Sequence, residues 1–437
     1  MRGSLPGCLK LTGKHCINTS HQMFKKIAGK IHLWLGFASG LVLVLSLLPA
    51  AIFVFQAELT NWWYHDTVYA DTVKTKTLPV SVLLKQAQAA SGKYEPLSGI
   101  QLSNNANRNY AFSAYRQSKK PGLTFFSEYD YGKEVYINPY TGKVQGEINF
   151  KTNWIYLCRV MHQQMLLRYD IGHWFIGVAS LIIIVSLISG VILWFPKNKA
   201  GFKQRFAIKW DARWRRKNYD IHNVGGFYSF LLIFILAATG LVWSFTWWAN
   251  GLYSLVGGLP KTDQVQKVKS AAVVQLGMDP LDIAFADVLS KRKNWTELYI
   301  SLPETINDDN QEHTVTFYLS FNDHSGWDEG DSYEYNLKTG ALKQQTRQEF
   351  KNTAEKLQNS IYGIHTGSIY GMPTKILVFL GTLFCASLPV TGFIIWWGRR
   401  KKEKKPVAKS KTTNSNVKAN NGSAKPGYVP RRAVVQK

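Results

Sequence analysis

Acidic residues are scarce in this chain: 28 Asp and Glu stand against 53 Lys and Arg, a formal net charge of +25 over 437 residues. That surplus suits anionic lipid headgroups, and because no base-reading module accompanies it, nucleic acid is excluded as the partner. Cysteine is nearly absent. Cys8, Cys16, Cys158 and Cys385 are too few and too scattered for a disulfide framework, and the gap between Cys8 and Cys16 matches no strong metal-ligand pattern. No glycine-rich phosphate cradle or nucleotide fingerprint appears, which excludes a nucleotide-driven enzyme carrying its own cofactor module.

Apolar residues are plentiful and unevenly distributed. They make up 46% of the sequence, yet mean hydropathy is only −0.15, the balance expected of membrane spans joined to sizeable water-soluble segments. Four runs are long and apolar enough to cross a bilayer: Leu33 to Phe55, Trp174 to Phe195, Val224 to Phe245, and Lys375 to Trp397. The first is too long for the apolar core of a cleaved signal and is kept as an anchor. Basic residues crowd the ends and the middle connection, so the positive-inside rule puts both termini in the cytoplasm. The expected order is a cytoplasmic N-terminus (1–30), a first span (31–56), an outer domain (57–160), and a second span with an outer extension (161–195). A basic cytoplasmic loop (196–220), a third span (221–248) and a second outer domain (249–360) follow. A fourth span with an outer extension (361–398) and a basic, disordered cytoplasmic tail (399–437) complete it.

Both outer segments read as α+β. In the first, Val80 to Ala90 is helix-like, and Tyr110 to Tyr115, Leu123 to Tyr129 and Glu134 to Ile137 alternate like strands. In the second, Asp279 caps a helix opened by Pro280, and Glu297 to Leu302, Thr314 to Phe321 and Tyr333 to Leu337 alternate likewise. Each ends in a turn of the same form, Asn138 to Gly142 and Asn336 to Gly340, with a glycine suited to positive φ. The similarity extends into the spans. IHLWLGF from Ile31 matches IHNVGGF from Ile221, while His162 precedes Gly190 and Trp194 much as His365 precedes Gly392 and Trp396. The chain thus reads as helix, domain, helix, written twice, with a pseudo-two-fold axis along the membrane normal that brings equivalent histidines face to face.

The His-led outward helices, the His-led returning helices ending in Ser189-Gly190 and Thr391-Gly392, and the Thr-Gly turns together resemble the PepSY-associated transmembrane family, over roughly residues 25 to 400. The resemblance implies four transmembrane α-helices with two periplasmic α+β PepSY-like domains. It also implies an iron-regulated bacterial inner-membrane protein, of the kind that includes haem-containing reductases of ferric siderophores. Two departures stand out: Pro49-Ala50 where Thr239-Gly240 stands in the other half, and turns beginning with Asn138 and Asn336 where the family often has Asp.

A low-spin haem takes two axial ligands from opposite sides, and imidazoles on facing helices supply them without bringing charge into hydrocarbon. His32 and His222 form one candidate pair near the cytoplasmic edge. His162 and His365 form the other, at or beyond the outer surface, about 46 to 48 Å above Trp194 and Trp396 if the helices run straight. His162 and His173, eleven residues apart, would share one face of one such helix, with His173 between the layers as a substitute ligand or a ligand to a further haem. On straight helices the layers stand about 40 Å apart or more, too far for one tunnelling step. Gly36, Gly40, Gly225, Gly226, Gly363, Gly367 and Gly371 leave room for a flat ring, or for close helix packing. Trp62, Trp63, Trp194, Trp243, Trp247, Trp248, Trp396 and Trp397 read as interfacial belts, and the loop His324 to Asp331 as a solvated acidic turn.

The expected function is a haem-b oxidoreductase, with one or two haems, that carries electrons across the inner membrane to a ferric siderophore and releases iron as Fe(II). Electrons come from a quinol or a separate reductase, because the cytoplasmic segments are too short for a flavin domain. Two other readings are a PepSY sensor module with structural histidines and a siderophore permease. The permease is disfavoured because no broken, charged helix lies at mid-membrane.

Overall fold

The computed structural model describes residues 11–403 except 93–94, 197–201, 261–265, 268–276, 304–312 and 322–327. Its first element, α1 (Leu11–Phe53), carries the first apolar run and ends four residues past Pro49. Short helices α2 (Gln56–Trp63) and α3 (His65–Val68) lead to α4 (Val80–Ser91) and strands β1 (Leu97–Ser103) and β2 (Tyr110–Gln117). Then come α5 (Phe125–Glu128), β3 (Tyr129–Ile137), β4 (Val144–Asn149), α6 (Trp154–Gln164) and α7 (Tyr169–Trp194). The second half runs through α8 (Trp214–Asp220), a π-helical turn (Ile221–Gly225), α9 (Gly226–Ser244), α10 (Thr246–Leu255) and β5 (Gln266–Lys267). It closes with α11 (Pro280–Lys291), β6 (Trp295–Ser301), β7 (Thr314–Phe321), β8 (Glu329–Asn336), β9 (Leu342–Thr346), α12 (Thr353–Thr366) and α13 (Met372–Glu403).

Among the described residues four helical stretches are long and apolar enough to cross a membrane: Met23–Phe53, Tyr169–Trp194, Trp214–Ser244 and Met372–Arg400. The shortest has 26 residues, about 39 Å at the helical rise, against a hydrocarbon core of roughly 30 Å. The third begins ten residues earlier than its apolar run suggests, so part of the expected basic loop is helix α8. Asp220 explains why it can be: its buried carboxylate accepts from Arg216 Nε at 2.9 Å and from the Lys209 amide at 3.3 Å.

Among the described residues the strands form one antiparallel sheet of nine, in the order β4-β3-β2-β1-β6-β7-β8-β9-β5. The two outer segments are therefore not separate domains, because β1 pairs directly with β6, with Ile100 opposite Ile300. Both isoleucines are fully buried, as are Leu83, Phe112, Leu298 and Phe317 in the same core beneath α4 and α11. Each such side chain contributes about 1.5–3 kcal/mol by leaving water, and truncating a central isoleucine to Ala costs roughly 2–5 kcal/mol. Ser81, opening α4, donates from its amide and hydroxyl to Asp282 on α11, which ties the two helices together. The paired turns have one geometry: Asn138 Oδ1 accepts from the Tyr140 and Thr141 amides, Asn336 Oδ1 from those of Lys338 and Thr339. Gly142 (φ 73°) and Gly340 (φ 68°) complete them in the left-handed region.

Leu123 to Tyr129 is not a strand. Residues Phe125–Glu128 make one helical turn, with only Thr124 bridging to Leu167. That bridge belongs to a larger difference: neither returning span has a continuous outer extension. Helix α6 stops at Met165 and Leu166, both left-handed (φ 57° and 58°), before α7 starts afresh at Tyr169. In the second half α12 ends at Gly367 (φ 75°), and α13 begins after Gly371 (φ 69°). Asn153 and Asn352 cap the starts of α6 and α12, the latter with a full capping box to Glu355.

Candidate functional site

Because α6 and α12 are broken from their spans, His162 and His365 lie beside the bundle and not far above it. Their ring centroids are 6.0 Å apart with planes 27° from parallel. His32 on α1 and His222 in the π-helical turn form a second pair, with centroids 6.1 Å apart and planes 82° apart. A first-row metal ion bonded to one nitrogen of each ring at about 2.0 Å sets the centroids roughly 6 Å apart once the ring radii are added. Direct ring stacking would bring them closer, so both spacings suit an iron atom between two imidazoles.

Hydrogen bonds fix which nitrogen is available. Thr239 Oγ1 donates to the Ile235 carbonyl at 2.8 Å, so toward His365 Nδ1, at 3.0 Å, it accepts. Thr391 Oγ1 likewise donates to the Ser387 carbonyl at 3.0 Å and accepts from His222 Nδ1 at 2.8 Å. His32 Nδ1 donates to the Ser186 carbonyl at 2.9 Å, and Ser46 Oγ, donating to the His162 carbonyl at 3.1 Å, accepts from His162 Nδ1 at 2.9 Å. All four rings thus carry their proton on Nδ1, leaving the Nε2 lone pair for a ligand. Burial also holds His162 and His365 neutral, pushing their imidazoles down to about 4 and about 3.

The missing Cβ of three glycines makes room for these rings. A methyl at Gly190, Gly392 or Gly240 would stand 3.3, 3.3 or 3.0 Å from Cε1 of His32, His222 or His365. In the fourth case Pro49 occupies the position of Thr239 and has no hydroxyl to offer; Ser46, one turn earlier, supplies it instead. Several other glycines serve packing: a Cβ on Gly40 would meet Pro389, and one on Gly225 would meet Phe384.

A cavity of about 450 Å³ surrounds His32 and His222, and one of about 480 Å³ surrounds His162 and His365. Both lie in the range of small-ligand pockets. Leu43, Ile183 and Cys385 border both cavities, so a single layer of side chains separates them. His32 and Ser46, which mark the two layers on α1, are fourteen residues apart, about 21 Å along the helix. The expected separation of about 40 Å is overturned, because it assumed straight helices through Met165 and Gly367.

His173 is not on one helix with His162, nor does it lie between the layers. It borders the outer cavity near the start of α7, its Nδ1 donating to the Tyr169 carbonyl at 2.5 Å, and among the described residues its ring neighbours are Tyr169 and Trp174, not a second histidine. Trp194 is no interfacial residue: it is 3% exposed, stacks on Phe227 at 3.7 Å and borders the inner cavity. Trp243 packs edge-on against His365 at 5.3 Å. Residues 324–327 of the acidic loop lie outside the described residues; of the rest, Asp328 donates from its amide to Ser360 Oγ at 2.8 Å and Asp331 is buried in β8 against Arg292 at 3.0 Å. No group of three or more His, Cys, Asp or Glu gathers among the described residues.

Sequence reasoning named all four paired histidines but not the hydroxyls that orient them. Their signal is a Ser or Thr before Gly inside an apolar span, as in Ser189-Gly190, Thr239-Gly240 and Thr391-Gly392. Residues 30–399 match the family described as PepSY-associated TM region. No curated protein matches the chain.

Proposed function

Since the chain belongs to the PepSY-associated TM family, we propose that it is a haem-b oxidoreductase of the bacterial inner membrane that passes electrons to a ferric siderophore. One observation carries this reading: two layers of histidines paired near 6 Å, every Nδ1 held by a hydroxyl or carbonyl. His32 and His222 would hold the inner haem, and His162 and His365 the outer. Haem supplies a one-electron couple whose potential the axial ligands and their hydrogen bonds tune. The protein's part is to keep four imidazoles neutral and oriented, to surround them with apolar walls, and to set the two sites close enough for direct transfer.

The basic loop and ends support a direction, with both termini in the cytoplasm and the sheet in the periplasm. Electrons then enter at the inner pair, from a quinol or a separate reductase, and leave at the outer pair. Hard oxygen donors hold Fe(III) far better than Fe(II), so a single electron loosens the chelate. The matched turns, the register at Ile100 and Ile300, and the face-to-face histidines support an internal two-fold repeat. The test is spectroscopic. Purified protein should be red, with a Soret band that sharpens on dithionite and two haems per chain, and it should reduce a ferric hydroxamate. Protein that stays colourless after haem supplementation would overturn the proposal.

A further inference from the structure

We infer that Arg159 anchors a carboxylate of the group held between His162 and His365, an inference that rests on the haem reading above. Arg159 lies three residues before His162 on α6, so both side chains share one helix face, and both border the outer cavity. Its Nε donates to Gln163 Oε1 at 3.0 Å, and its guanidinium carbon stands 5.6 Å from the centre of the Tyr156 ring. Among the described residues no carboxylate pairs with it, and neither Nη finds an acceptor. Four of its five N–H donors are therefore unmatched.

Among the described residues no other Lys or Arg borders this cavity. The one carboxylate there, Glu128, is already engaged by Gln164 Nε2 and the Tyr169 amide, both at 3.3 Å. A half-buried guanidinium beside an apolar cavity, without a counter-charge, is costly unless an anion completes it. Haem brings two carboxylates on one edge, and a planar guanidinium binds carboxylate through paired hydrogen bonds. The corresponding position before His365 is Tyr362, whose hydroxyl already accepts from Gln56 Nε2 at 2.5 Å. The asymmetry turns the carboxylate edge toward α6 and away from α12. Among the described residues the one cation bordering the inner cavity, Arg399, is exposed, so the half-buried anchor is peculiar to the outer site.

The test compares protohaem with its dimethyl ester, which has the same ring and iron but no carboxylates. Full-length apoprotein in detergent is titrated with each, following the Soret band, for wild type, Arg159→Ala and Arg159→Lys. Wild type should bind one equivalent of protohaem roughly tenfold or more tightly than the ester, the difference a charge-assisted pair makes. Arg159→Ala should lose that preference, and Arg159→Lys should keep part of it. A redox titration gives a second readout: removing a nearby cation should lower one of two midpoint potentials and leave the other unchanged. If wild type shows no preference, or Arg159→Ala keeps it in full, the assignment of Arg159 is overturned while the haem reading stands. If neither compound gives a Soret band with wild type, both fall.

Discussion

Replacing Thr239 by Val removes one oxygen and nearly nothing else. The side chain is 6% exposed and β-branched, so valine fills its space, but the acceptor for His365 Nδ1 at 3.0 Å is gone. Losing such an outer-shell partner typically weakens metal binding 10–100-fold, which is about 1.4–2.7 kcal/mol. The low end applies here, because the Leu236 carbonyl still reaches the ring and keeps a partner for the proton. The expected effect is thus a roughly tenfold faster loss of one haem of two. It is measured by transfer to excess apomyoglobin, with Thr239→Ser restoring slow release. A valine variant that releases haem at the wild-type rate, or a serine variant that behaves like valine, would refute the orienting role of the hydroxyl.

His162→Ala and His365→Ala should each abolish the outer low-spin signal and ferric-chelate reduction, whereas His222→Ala should leave an outer haem still reducible by dithionite; absorbance and turnover decide. The inner pair, with planes 82° apart, should give a strongly anisotropic low-spin EPR signal, and the outer pair, at 27°, a rhombic one; two identical signals would contradict the geometry. Apoprotein should lose stability as pH falls below about 6.5, because the unfolded chain then protonates His162 and His365 while the folded chain resists until about 4 and about 3. The slope is about 1.4 kcal/mol per pH unit for each histidine and flattens below those values, as thermal unfolding from pH 7 to 4 would record. A reporter fused after Lys209 should be active only in the cytoplasm; activity only in the periplasm would reverse the electron path.

The apolar runs disclosed the four spans, and period-two alternation disclosed β2, β6 and β7, because both patterns are written in hydrophobicity alone. The break between α6 and α7 was hidden for a physical reason. Met165 and Leu166 take left-handed backbone without a glycine or proline to announce it, held by the Leu167–Thr124 bridge from a distant part of the chain. The second break did carry a signal, Gly367 and Gly371, whose positive φ values end one helix and free the next. Missing both breaks stretched the site to twice its real height. The four paired histidines were legible as residue types with a repeated spacing, but their pairing distances depend on the helix breaks. Trp194 shows the limit of composition: at the end of a span it looks interfacial, and only the fold of residues 202–206 over it, with the Arg205 carbonyl accepting from its Nε1 at 3.2 Å, makes it part of a wall.

The ladder between β1 and β6 bears on what kind of membrane machine this is. Five residue pairs, from Gly99 with Ser301 to Ser103 with Glu297, stitch the two halves across their midline. Alternating access by rocking one half against the other would have to tear those hydrogen bonds and part Ile100 from Ile300 in every cycle. A clamp of that kind suits a conductor whose relay stations must keep a constant gap, and it leaves a carrier no hinge at the seam where it would need one.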